Sequence, residues 1–298
     1  MCDVVIIGGG LAGLSCALAL RDASPDLKVV VLEARNRVGG RTFSRVDPVH
    51  GRADLGGAYV GTTQDRLQEL LQRFGLSLFD VHRKGKSVAV DGPDSSPRLY
   101  EGVIPPYSLP ALVDLNTLLI EMDDLANSVN VESPWLTPNA DQLDKQSVGS
   151  WIESRGWTQE AKHAVRGAVH SLVCSSPDSV SLLFWLWLVR SGCNIKMLMA
   201  VADGGQEKKV VEGLAALSDR IAEHLGCVRL DSPVRSVIWS EHGGARVITR
   251  DGTEFSCRHL VVALAPSLYN SIEWSPPLPP EKAQLVTCFF LTLVVFFF

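Results

Sequence analysis

The sequence predicts an α/β fold with a parallel sheet, added β-hairpins and an inserted, mostly helical domain. Two short runs rich in β-branched residues, 4–7 (VVII) and 28–32 (KVVVL), are typical of buried strands. Between them, residues 10–20 have the small and apolar composition of a helix. A strand, a glycine turn, a helix and a second strand within about 30 residues form one βαβ unit, whose crossover should be right-handed.

The composition of the chain changes twice, which predicts four segments. A helix at 62–74, capped by Thr62 or Thr63 and ended by Gly75, closes the first part of the sheet domain. We predict helices at 117–129, 147–155, 158–172, 180–190 and 214–225, and strands at 228–230, 234–239, 245–250, 254–257 and 260–264. The resulting segments are 1–80 and 206–284 for the sheet domain, 81–205 for the helical domain, and an apolar tail at 285–298.

Composition and charge exclude several classes of protein. The chain has 46% hydrophobic and 20% charged residues, which is typical of a folded globular protein. The net charge is −5 without a basic cluster, so nucleic acid is not an expected partner. The cysteines are scattered and never at CxxC spacing, and the histidines show no ligand spacing, so no metal site is predicted. Apolar runs at 182–189 and 285–298 are shorter than the roughly 20 residues of a membrane span.

A glycine motif follows the first predicted strand. Gly8, Gly10 and Gly13 have G-x-G-x-x-G spacing, and Glu33 lies twenty residues later at the end of the next strand. In a Rossmann-like unit, such glycines allow a tight turn, close approach to a pyrophosphate and close packing of helix on strand. The acidic residue accepts hydrogen bonds from ribose hydroxyls. The sequence therefore predicts a site for an adenine dinucleotide, either NAD or FAD.

Two further glycine pairs favour FAD. Gly39-Gly40 precede Arg41, whose guanidinium is suited to a pyrophosphate, and Gly56-Gly57 can approach a flat ring. The runs 33–42 (EARNRVGGRT) and 54–61 (DLGGAYVG) resemble the flavin-containing amine oxidases, most closely the animal monoamine oxidases. The resemblance continues at 203–209 (DGGQEKK), 232–234 (SPV) and 274–279 (WSPPLP), and it covers residues 3 to about 284.

The resemblance implies roles for matching positions. Cofactor contacts would come from Gly8, Gly10, Ala12, Gly13, Glu33, Ala34, Arg41, Gly56, Gly57, Ala58 and Val234. Tyr59, Met199 and Gln206 would lie at the substrate cavity, although ordinary core packing is an equal interpretation for Met199. At 211–215 (VEGLA) the chain has one glycine where the family has a glycine- and serine-rich turn. No catalytic residue is assigned, because the family's catalytic lysine, flavin-linked cysteine and aromatic pair belong to a later region without a match here.

The implied activity is FAD-dependent oxidation of a primary amine by oxygen, giving aldehyde, ammonia and hydrogen peroxide. Three alternatives stay open: an oxidase for polyamines or L-amino acids, a non-catalytic relative such as the GDP-dissociation inhibitors, and an inactive fragment that binds FAD or ADP. Glu33 and the 39–41 motif argue against the second alternative. The resemblance also implies a location at the mitochondrial outer membrane. A chain without the family's anchoring helix would instead be cytoplasmic. A homodimer and a membrane contact of the tail stay open. We expect a truncated or mis-spliced product in which 285–298 replaces the family's continuation.

Overall fold

The computed structural model describes residues 1–49, 51–90, 96–102, 104–240 and 243–288. Its helices are Leu11–Ala23 (α1), Asp65–Arg73 (α2), Leu109–Asn127 (α3), Ala140–Lys145 (α4), Val148–Arg155 (α5), Gln159–Val173 (α6), Leu182–Ser191 (α7), Ile195–Met199 (α8), Ala215–Leu225 (α9) and Pro280–Cys288 (α10). Its strands are Cys2–Ile7 (β1), Val29–Leu32 (β2), Ser44–Asp47 (β3), Gly51–Asp54 (β4), Tyr59–Val60 (β5), Leu78–Asp80 (β6), Ser87–Ala89 (β7), Arg98–Tyr100 (β8), Lys208–Val210 (β9), Val228–Arg229 (β10), Val234–Trp239 (β11), Ala245–Thr249 (β12), Glu254–Val262 (β13) and Glu273–Ser275 (β14).

The main sheet joins the two ends of the described chain. Its seven strands follow the order β10-β2-β1-β13-β12-β11-β14. β1 lies between β2 and β13, and both neighbours are parallel to it. β13, β12 and β11 continue the sheet as an antiparallel meander. Helix α1 connects β1 to β2 and packs against α9. Because β1 and β2 are parallel, their carboxyl ends meet at one edge of the sheet, where α/β sheets place their ligands.

The prediction of two separate strands at 254–257 and 260–264 is wrong. One continuous strand, β13, runs through both segments and pairs with β12 at its start and with β1 at its end. Arg258 and His259 interrupt the apolar pattern without interrupting backbone pairing. His259 is in register with Val4, and the Arg258 guanidinium lies 3.4 Å from the carboxylate of Asp3.

The predicted cap of α2 is also wrong. The helix begins at Asp65, and neither Thr62 nor Thr63 occupies the capping position. Glutamine side chains hold the preceding turn, since the Gly61 N–H donates to Gln64 Oε1 (3.1 Å) and Gln68 Nε2 donates to the Gly61 carbonyl (2.9 Å). The predicted end is confirmed by Gly75, which takes a φ of +64°.

Helices α3 to α8 pack around an apolar core separate from the sheet's core clusters. Trp185 on α7 is fully buried there, and its indole N–H points at the sulfur of Met122 on α3. The predicted helices at 147–155, 158–172 and 180–190 correspond to α5, α6 and α7, which are capped by the hydroxyls of Ser147, Thr158 and Ser181. α4 and α8 are additional short helices. The proposed division into domains stays a prediction.

A buried carboxylate joins two of these helices. Asp114 on α3 is 1% exposed. Its Oδ2 accepts hydrogen bonds from the Trp157 N–H (3.0 Å), the Thr158 N–H (2.6 Å) and the Thr158 hydroxyl (2.7 Å). A negative charge here satisfies N–H groups at the start of α6 and interacts favourably with the positive end of its dipole.

We expect Asp114→Asn to lower the free energy of unfolding by about 2 kcal/mol, because a neutral acceptor forms weaker hydrogen bonds than a carboxylate. Urea denaturation measures the change. Asp124→Asn changes an exposed carboxylate on the same helix and should shift stability by less than about 0.5 kcal/mol. Equal effects of the two substitutions would contradict the assigned role of Asp114.

The described helices include none that is both long and apolar enough to cross a bilayer. The apolar run at 182–189 lies in α7 and contributes to the helical core. The second run begins in α10, and its residues from 289 onward lie outside the described part of the chain.

Candidate cofactor site

Glycines determine the path of the chain between β1 and α1. Gly8 has a φ of +110°, and a Cβ there would lie 2.6 Å from the carbonyl oxygen of Ala263. A Cβ on Gly13 would overlap the carbonyl oxygen of Gly8. Glycine at these two positions therefore lets α1 pack directly against the end of β1.

The start of α1 offers donors to an anion. Gly10 is the N-terminal cap residue, and the first turn has neither a side-chain cap nor an acidic residue. The first helical hydrogen bond runs from the Leu14 N–H to the Gly10 carbonyl (2.9 Å), so it leaves the earlier N–H groups without helical partners. Ala12 is exposed in this turn. A Cβ on Gly10 would meet only the Cα of Gly40, at 3.9 Å, so the space above the turn is open.

Glu33 stands at the end of β2 and faces the glycine turn. Its Oε2 accepts the Gly9 N–H (2.7 Å) and its Oε1 accepts the Arg35 N–H (2.9 Å). The side chain is 8% exposed, and the next residue, Ala34, is exposed. Each carboxylate oxygen keeps a second lone pair, which is what a ribose hydroxyl pair requires. The structure thus brings Glu33 and the glycine turn together.

Val234 reaches the same region from the second sheet segment. The Ser232 N–H donates to the Glu33 carbonyl (2.8 Å). Val234 follows two residues later as the first residue of β11, and it is buried. The backbone at 232–234 is therefore near the adenosine side of the predicted site.

The second glycine pair lies against the first turn. Gly39 and Gly40 both have positive φ, +94° and +56°. The Gly39 N–H donates to the Gly9 carbonyl (2.9 Å), and the Thr42 hydroxyl donates to the Gly39 carbonyl (2.7 Å). Arg41 is exposed beside this turn. The two glycine loops thus form one continuous backbone surface.

Arg37 organises this surface, a role that the sequence reasoning did not assign. Its guanidinium donates to the carbonyls of Gly40 (3.0 Å) and Val38 (3.1 Å) and lies 4.4 Å from the ring centroid of Phe43. Burial raises the pKa of the Asp219 carboxyl, and the nearby Arg37 charge partly offsets this rise. An arginine that donates to backbone carbonyls of its own loop has no sequence signal beyond its place in the motif.

The third glycine pair packs on the Arg41 backbone. The Gly57 N–H donates to the Arg41 carbonyl (3.1 Å), and a Cβ on Gly56 would overlap the same oxygen. Ala58 follows as a buried residue. Residues 56–58 therefore lie next to the 39–41 loop, as a contact with one extended cofactor would require.

The three predicted cavity residues lie on neighbouring segments. A Cβ on Gly61 would lie 2.9 Å from the Cα of Gly205, so the chain after Tyr59 touches the chain before Gln206. The Gln206 N–H donates to the Ala200 carbonyl (3.2 Å), directly after Met199 at the end of α8. Tyr59 and Met199 are both more than 40% exposed. This exposure argues against ordinary core packing for Met199.

The single glycine at 211–215 does not disturb the start of α9. Gly213 takes a φ of +79°, and a Cβ there would lie 2.6 Å from the hydroxyl oxygen of Ser44. Asp54 Oδ1 accepts the Leu214 N–H (3.2 Å), and Ser44 Oγ accepts the Ala215 N–H (3.3 Å). Side chains on β3 and β4 therefore cap the start of α9, where the family has a glycine- and serine-rich turn.

We expect Asp54→Ala to lower the free energy of unfolding by about 1–2 kcal/mol, because it removes a cap from α9. Thermal unfolding followed by circular dichroism measures the loss. Glu223→Ala, an exposed change on α9 itself, should leave the transition nearly unchanged. Unaltered stability of Asp54→Ala would show that the cap contributes nothing.

The residues present fit the ADP half of FAD. Open space above Gly10, donors at the start of α1 and a half-satisfied carboxylate at Glu33 lie along one edge of the sheet. Within the described ranges, no cluster of three or more histidine, cysteine or acidic residues could hold a metal ion.

Comparison with known proteins identifies the family of the chain. The profile of the flavin containing amine oxidoreductases matches residues 11–294. Flavin-containing amine oxidase A of Equus caballus is 37% identical over 290 residues, which is 96% of this chain and 54% of the relative. Flavin-containing amine oxidase B of Homo sapiens is 33% identical over 296 residues, with the same coverage. The chain therefore spans about half the length of these relatives.

Solved structures show the same fold. Putrescine oxidase with bound putrescine is 33% identical and superposes with a TM-score of 0.89, over 96% of this chain and 63% of that one. Cyclohexylamine oxidase from Brevibacterium oxydans is 32% identical, with a TM-score of 0.87 and the same coverage. The predicted α/β class is confirmed, and so is FAD as the cofactor that the family implies. The chain belongs to the flavin containing amine oxidoreductase family.

Proposed function

We propose that this protein binds FAD and oxidises a primary monoamine with molecular oxygen to an imine and hydrogen peroxide, and that water then hydrolyses the imine to aldehyde and ammonia. The observation that carries FAD binding is the contact of Glu33 with the Gly9 N–H at 2.7 Å, next to an uncapped helix start, and the choice of an amine as substrate is supported by the family similarity. The Glu33 carboxylate could accept hydrogen bonds from a ribose, and the N–H groups at the helix start could donate to a pyrophosphate.

The chain's own groups bind and orient the cofactor. The first turn of α1 donates to the phosphates, Glu33 accepts from the adenosine ribose, and Arg41 places its charge along the pyrophosphate. The backbone at 56–58 would approach the ring system, and the backbone at Val234 would meet the adenine. When bound there, FAD would supply the redox chemistry, as the acceptor of a hydride equivalent from the amine, and these residues would bind and orient it.

The charge beside Tyr59 favours a monoamine over a diamine. Lys209 is in register with Tyr59, and its ammonium nitrogen lies 5.0 Å from the centroid of the tyrosine ring. A second ammonium group on a substrate at Tyr59 and Gln206 would be repelled by this charge. The similarity to putrescine oxidase makes a diamine the second candidate.

The proposal is tested on the FAD-loaded chain without oxygen. Benzylamine, putrescine and cyclohexylamine are added separately, and the visible flavin absorbance is followed. We expect benzylamine to bleach the band and readmitted oxygen to restore it with release of hydrogen peroxide, whereas benzyl alcohol should have no effect. Faster bleaching by putrescine would favour the diamine. A folded, FAD-loaded chain that responds to none of the amines would contradict amine oxidation.

We also propose a location at the mitochondrial outer membrane and assembly as a homodimer, both on the basis of family resemblance alone. Cell fractionation with an antibody to the chain tests the location. Sedimentation equilibrium of the FAD-loaded protein tests the assembly, and a single species at the mass of one chain would contradict the dimer.

A further inference from the structure

The helical layer carries a groove far from the glycine loops in sequence. It has a volume of about 480 Å³ and opens between the 3₁₀ turn Pro134–Leu136, α4 and α7. Trp135, Phe184 and Trp187 line it, and the first two are 70% and 46% exposed. Sites for small molecules typically have volumes of about 300–1,000 Å³ and apolar or aromatic walls.

The aromatic wall is fixed in position. The rings of Phe184 and Trp187, one turn apart on α7, have centroids 5.9 Å apart and planes inclined by 33°. The Trp187 indole N–H donates to the Val131 carbonyl (3.0 Å), which anchors this ring to the segment between α3 and the 3₁₀ turn. The ring faces carry negative electrostatic potential, so they attract cations.

The charge of the lining has one sign. Glu132 and Asp144 line the groove, and none of the lysines and arginines that the structure describes does so. Asp144 Oδ1 accepts the Ser181 hydroxyl (2.6 Å), so its carboxylate is held in place. Neither carboxylate forms an ion pair with any residue that the structure describes. A ligand with a positive charge therefore complements both the rings and the carboxylates.

We propose that this groove binds an organic ammonium ion, with its charged nitrogen between the Trp135, Phe184 and Trp187 rings and the Glu132 carboxylate. The site is separate from the cofactor loops, and its occupation does not depend on FAD. The alternative is that a protein segment or a second copy of the chain covers the groove and contacts only its apolar surface. The test must distinguish this alternative from binding of a cation.

The probe is benzyltrimethylammonium, a quaternary ion that has no N–H and cannot be oxidised to an imine. Its neutral isostere, neopentylbenzene, has the same shape without the charge. Saturation-transfer NMR on the full chain measures binding of both compounds. We expect one cation per chain and at least about fivefold weaker binding of the neutral compound.

Matched variants locate the binding. Glu132→Gln and Trp135→Leu should each weaken cation binding about threefold to fivefold. Glu223→Gln and Trp157→Leu change an exposed carboxylate and an exposed indole outside the groove and should have no effect. Trp135 is largely exposed, so its variant should fold normally, and circular dichroism checks this.

Three results would overturn the proposal: no binding of the cation, equal binding of cation and isostere, or unchanged cation binding in both groove variants. If the chain binds no cation but self-associates, and Trp135→Leu abolishes the self-association, the groove would be assigned to a second copy of the chain instead. None of these outcomes depends on amine oxidation, so the proposed function stands or fails separately.

Discussion

Gly13→Ala is expected to abolish FAD binding and to lower the free energy of unfolding by at least about 3 kcal/mol. The added Cβ would overlap the Gly8 carbonyl oxygen, which belongs to backbone that cannot rotate away. Relief requires α1 to move off β1, and this movement displaces the N–H groups that face the phosphates. Urea denaturation and FAD retention after desalting measure the two effects.

Gly167→Ala is the matched control for this substitution. Gly167 lies within α6, and a Cβ there would meet no atom within 4 Å. Because alanine is the better helix former, this variant should be more stable by up to about 1 kcal/mol and should bind FAD normally. A Gly13→Ala protein with native stability and native FAD binding would contradict the close helix–strand packing.

Glu33→Ala is expected to weaken FAD binding about 100-fold, equivalent to about 2.7 kcal/mol. The change removes the acceptor for the ribose and leaves the Gly9 and Arg35 N–H groups without their carboxylate partner. Glu33→Gln retains one acceptor oxygen and should weaken binding about tenfold. Flavin fluorescence titration measures the dissociation constants.

ADP provides a sharper measurement for the same residue. If Glu33 binds the adenosine ribose, its substitution should weaken ADP and FAD by the same factor. Glu212→Ala removes a carboxylate that accepts the Ser77 N–H (3.2 Å) and should change neither affinity. A large loss for FAD with no loss for ADP would place Glu33 at the flavin instead of the adenosine.

The sequence predicted the glycine loops well because each depends on local backbone geometry. Gly8, Gly39 and Gly40 adopt positive φ within the predicted loops, and Glu33 lies at the predicted strand end. Such features follow from residue type and spacing over a few positions. The assigned roles of the contact residues remain predictions that the substitutions above test.

Elements that depend on distant partners were predicted less well. α3 begins at Leu109 and not at 117, because the buried Asp114 hides the apolar pattern of its first turns and is satisfied only by α6. β13 continues through Arg258 because its backbone pairs with strands on both sides. Arg37 is a different case, because its partners, the carbonyls of Val38 and Gly40, are near in sequence but meet the guanidinium only after the loop has folded.

The visible absorption spectrum tests most directly whether this chain forms an FAD site. Residues 1–298 are expressed, purified under reducing conditions, mixed with FAD and desalted. We expect a retained flavin band at about one FAD per chain, and its loss in Gly13→Ala but not in Gly167→Ala. A folded, soluble wild-type chain that retains no flavin would contradict the account.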